Sequence, residues 1–91
     1  MNIDEARNFS RLLNLPPLTG TLAAIQEAEQ IRAEKLKRVP WFEENWEVYL
    51  RELKTRSLHE YSLENLKLAD LSGFWIENRH LDFWELLEWF D

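Results

Sequence analysis

The side chains able to do chemistry are few: two histidines, no cysteine, and seventeen acids against eleven Lys and Arg. Without cysteine there are no disulfides, thiolate metal sites or cysteine nucleophiles. Glu77 and His80 stand three apart, which on a helix puts a carboxylate and an imidazole on one face, as in di-iron bundles. Such a centre needs two of these pairs and two further Glu, which only a symmetric dimer approaches. With Arg79 beside it, His80 reads as a surface histidine, and no metal site is expected. His80 and Asp82 lack a strand-Ser-helix elbow and a Gly-rich oxyanion loop, so no catalytic residue is assigned. Two glycines in all leave no phosphate-cradling loop, and no cofactor is expected. The chain is expected to be non-enzymatic.

The stronger pattern is acidic and aromatic. Six of the twelve Trp, Tyr and Phe residues fall in the last 18 positions: Phe74, Trp75, Phe83, Trp84, Trp89 and Phe90. Residues 1–59 carry nine acids and nine bases, whereas 60–91 carry eight acids against Lys67 and Arg79 alone. On a helix starting at Phe83, the apolar residues Phe83, Trp84, Leu86, Leu87, Trp89 and Phe90 span an arc of roughly 220°, about twice what one core face needs. Glu85 and Glu88 mark the polar side. Such a helix asks for walls on two sides, and a second chain is one way to supply the outer one. Trp75, Phe83, Trp84, Trp89 and Phe90 are therefore candidate partner anchors, with Glu85, Glu88 and Asp91 selecting a basic partner.

The elements that position these residues are read as helices. Asn2 or Asp4 caps a first helix running to about Asn14, which Pro16-Pro17 ends. Thr19 or Thr21 caps a second helix to about Arg38, whose apolar residues spread over half its circumference and predict two neighbours. Pro40 begins a third helix with Phe42, Trp46, Tyr49, Leu50 and Leu53 in one stripe, while Trp41 and Val48 lie off it. Ser57 with Glu60 reads as a capping box, Ser62 as the cap of a helix over Leu63 to Leu71, and Ser72-Gly73 as a break. Phe74 to Arg79 then form a turn or two, and Asp82 caps a last helix. Leu66, Leu71, Ile76, Leu81 and Leu86 recur every five residues. A pentapeptide β-helix is excluded all the same, because Glu64, Phe74, Arg79 and Trp84 occupy places that need small side chains. The expected architecture is all-α: one domain over 1–91, a compact bundle of four or five short helices, with a neutral part (1–59) and an acidic, aromatic-rich part (60–91).

Net charge −6 and one basic cluster, Arg32, Lys35, Lys37 and Arg38, argue against direct nucleic-acid binding. That cluster offsets the dipole at the end of the second helix, pairs with the acidic end of the same or another copy, or touches nucleic acid, for which it is a weak signal without a binding motif. Apolar runs of four residues, far below the ~20 that span a bilayer, and a polar start lead us to expect a cytoplasmic protein without a membrane role. The function expected is that of a small protein-binding or regulatory protein, a homodimer or complex subunit. The alternative is an acidic inhibitor that mimics DNA to block a nucleic-acid-binding protein.

Overall fold

Helix starts are written in the sequence as short polar residues whose oxygen reaches the amide three residues on. A computed structural model describing residues 1–91 shows this at three positions: Asn2, Thr21 and Asp82 cap α1 (Ile3–Leu12), α2 (Leu22–Leu36) and α7 (Phe83–Glu88). Between α2 and α7 lie α3 (Val39–Glu44), α4 (Trp46–Thr55), α5 (Tyr61–Lys67) and α6 (Ser72–Glu77). The chain is 66% helical with no strands, an all-α bundle as its periodicity implied.

The helices are more numerous and shorter than the sequence implied, for two local reasons. The third helix is interrupted at Asn45, a non-helical residue (φ −120°, ψ 52°) whose side-chain amide donates to the Trp41 carbonyl at 2.9 Å. The single stripe is thereby broken: Phe42, Tyr49 and Leu53 are buried, but Trp46 is 38% exposed. The Ser57-Glu60 capping box is absent, and Ser57 instead takes a left-handed turn (φ 58°) closing α4. Ser62 lies inside the first turn of α5 rather than before it, and α5 stops at Lys67. Leu71 cannot be helical because it is the extended residue that leads into α6. Ser72-Gly73 therefore starts a helix instead of breaking one.

Leu71 is extended because it pairs with a distant segment. Thr19 and Leu71 form an isolated parallel bridge, with Thr19 N–H donating to Asp70 at 2.8 Å and Ser72 N–H to Thr19 at 3.1 Å. This brings together the first turns of α2 and α6. Gly20 (φ 137°) makes the turn out of the bridge, and a Cβ there would sit 3.3 Å from the Ser72 side chain. From this junction α2 packs against both α6 and α1, the two neighbours its spread of apolar residues called for. The core gathers Leu36, Phe42, Tyr49, Leu53, Leu63, Leu66, Trp75, Leu86 and Leu87. Every helix from α2 to α7 therefore contributes to it.

Candidate protein-binding site

The aromatic residues near the chain's end fall into three environments. Trp75 is 1% exposed, with its ring N–H donating to the Ala69 carbonyl at 3.0 Å. It is a core residue, and its proposed role as a partner anchor is corrected: its apolar body and its one polar atom are both satisfied inside the fold. Phe83, Trp84 and Phe90 are half-buried. Phe90 meets Phe74 edge-on at 5.5 Å. Phe83 stacks on Phe42 at 5.6 Å, and Trp84 approaches Phe42 and Tyr49 at 5.5 and 6.0 Å. Only Trp89 stands free, 66% exposed.

The width of α7's apolar arc thus has a mostly internal explanation. Leu86 and Leu87 are sealed in the core, and α3 and α4 wall the Phe83 and Trp84 flank. Glu85, Glu88 and Trp89 are exposed on the remaining face, where with Leu81 they border a shallow open hollow. Neither Glu85 nor Glu88 pairs with a cation. Glu85 has a local task, accepting from the Asp82 N–H at 3.2 Å while its own N–H donates to Asp82 at 2.9 Å.

One oxygen of the Asp91 side chain is already engaged within the fold. Its Oδ1 accepts from the His59 backbone N–H at 2.7 Å, lies 2.8 Å from the Ser62 hydroxyl, and sits 3.1 Å from His59 Nδ1. These bonds hold its pKa below the ordinary aspartate value, the His59 amide contributing most and Ser62 next. The residue types are those of a nucleophilic triad, but the carboxylate is in the middle with serine and histidine both turned towards it. A triad needs histidine between the other two. The arrangement is a latch tying the end of the α7 segment to the start of α5.

Sequence reasoning missed the cationic surroundings of the aromatic face. Arg38 lies over Phe42 at 4.9 Å and over Trp41 at 5.9 Å, and Arg56 over Trp84 at 4.4 Å. Lys35, Lys37 and Arg38, with the acids Glu34 and Asp82, border a cleft of about 260 Å³ whose apolar lining is Phe42, Phe83 and Trp84. This is below the ~300 Å³ typical of small-molecule sites and suits a single side chain. Lys37 is held by Glu34, while Lys35 and Arg38 face no carboxylate at salt-bridge distance. Trp41, off the predicted stripe, is 46% exposed. That offset was the available signal, since an aromatic off the buried stripe of its helix points elsewhere. The sequence places the basic cluster far from the acidic end, whereas the fold sets it beside the first turn of α7.

Other candidates do not assemble. Glu77 and His80 are both exposed, and no group of three or more metal-type side chains comes together. No helix is long and apolar enough to cross a membrane. No family model, curated protein or solved structure matches this chain.

Proposed function

We propose that the chain is a small protein-binding protein that works as a homodimer built over α7. The observation that carries this is the pairing of unmatched charge across one short helix. The outward face of α7 offers Glu85, Glu88 and the exposed ring of Trp89, and neither carboxylate has a cation for a partner. Beside its first turn, Lys35 and Arg38 flank an aromatic cleft, and neither pairs with a carboxylate.

In an isologous two-fold contact, each copy presents the same patch and receives its complement. The acidic face of one α7 then meets the basic rim of the other copy, and Trp89 enters the Phe42, Phe83 and Trp84 cleft. An aromatic anchor in a desolvated pocket supplies most of the binding energy in such contacts, and charge fixes the register. The acidic face thus selects a basic surface, and the surface that fits belongs to a second copy.

Charge exchange tests this reading. Glu85→Lys with Glu88→Lys makes both patches basic, and Lys35→Glu with Arg38→Glu makes both acidic. Each double variant alone should sediment as a monomer of 11.0 kDa, and a mixture of the two should restore the dimer. Dimerisation of each variant alone as readily as the native chain would refute the contact.

A further inference from the structure

A second cluster of unmatched charge lies where α1 passes through the Pro16-Pro17 connector into α2, and it shares no residue with α7 or the aromatic cleft. Arg7, Arg11 and Arg32 line one hollow of about 250 Å³ with Ser10, Pro16 and Glu29. Three guanidiniums against one carboxylate leave it two positive charges in excess. The single acid is already engaged, since Arg7 Nε donates to Glu29 Oε2 at 2.8 Å. Arg11 is exposed, and its one side-chain hydrogen bond is to Asn8 Oδ1 at 3.2 Å.

Arg32 is the unusual member, only 2% exposed. Its Nη1 donates to the Pro16 carbonyl at 2.7 Å and its Nη2 reaches the Ser10 hydroxyl at 3.4 Å. Nε has no partner, and no carboxylate lies at salt-bridge distance. A guanidinium carries five N–H donors, so most of this buried cation's hydrogen-bonding capacity is unmet. Buried charges are ordinarily paired, and burial works against the charge of Arg32, with Glu29 only partly offsetting it.

We propose that this hollow binds a doubly charged oxyanion of the phosphate type, with Arg32 as its buried anchor, Arg11 as its exposed arm and the Ser10 hydroxyl as a further donor. Guanidinium forks match the oxygen spacing of phosphate and donate to it in pairs. A phosphate group carries about −1.5 to −2 charge near neutral pH, which balances the two excess positive charges. Arg32 already grips the connector through Pro16, so a bound anion also fastens the corner between α1 and α2.

The test is a titration with inorganic phosphate at constant ionic strength, followed by amide chemical shifts and by the thermal midpoint. The proposal expects saturable shifts centred on Ser10, Arg11 and Arg32 together with a rise in Tm. Arg11→Gln, a change at an exposed side chain, should weaken the apparent affinity at least about five-fold while leaving the unliganded Tm in place. Salting-out by phosphate would raise the Tm of both proteins equally, without saturation, and that result overturns the proposal. So do shifts that centre elsewhere, no shifts at all, or an equal response to acetate, which carries a single charge.

Discussion

Trp75 and Trp89 bring the same side chain into opposite surroundings. One is sealed in the core with its ring N–H bonded to Ala69, and the other is two-thirds bare. Trp75→Ala removes a fully packed ring and should cost about 3 to 5 kcal/mol. Trp89→Ala should change the stability of the isolated chain by no more than about 0.5 kcal/mol, and urea unfolding of the two variants checks the contrast. Periodicity alone could not separate them, because one lies in a short helix and the other just past the end of one, both among other aromatics. Asp91 was legible as an acid but not as a latch, since the partners that hold it, His59 and Ser62, are remote in sequence. Its pKa is lowered in the folded chain, so its contribution is complete above the unfolded value of about 3.9 and fades as pH falls through the lower folded value. Asp91→Asn should therefore reduce the urea midpoint at pH 7, and the difference from the native chain should shrink in strong acid. An undiminished difference in acid would remove the latch from the account.

At the scale of elements, what could be read is what is decided within four residues. The caps at Asn2, Thr21 and Asp82 are contacts between a side chain and an amide three residues on, and each was available from the sequence. The extended Leu71 was not, because it is imposed from a distance, and the break at Asn45 went unread although the bond to the Trp41 carbonyl that accompanies it is local. Leu71 leaves the helical region to pair with Thr19 across half the chain, and local propensity at Ser72-Gly73 carries no trace of that partner. The bridge also gives Gly20 its task. A side chain at φ 137° is strained, and a Cβ there would press on Ser72. Gly20→Ala should destabilise by about 1 to 3 kcal/mol and loosen the junction of α2 with α6, read as faster amide exchange at Thr19 and Ser72. A substitution without effect on either would mean that the bridge contributes little to the fold.

For the whole molecule, charge was read correctly in amount and incompletely in place. The acid excess after residue 59 is real, but Asp82 and Asp91 serve internal hydrogen bonds, and the basic end of α2 comes to lie beside α7. The sequence offered this pairing as one alternative, but the residues involved are some fifty positions apart and only the tertiary fold chooses it. It replaces a uniformly acidic surface with a face that carries both signs beside an aromatic cleft. Such a face is complementary to itself, and the proposed homodimer rests on that property. Sedimentation equilibrium of the native chain across a range of concentrations, at low and at high salt, tests it most directly. The account predicts a mass of about 22 kDa at low salt, twice the 11.0 kDa of one chain, with dissociation favoured as salt screens the charge pairs. A mass of 11.0 kDa at every concentration and both salts would contradict it.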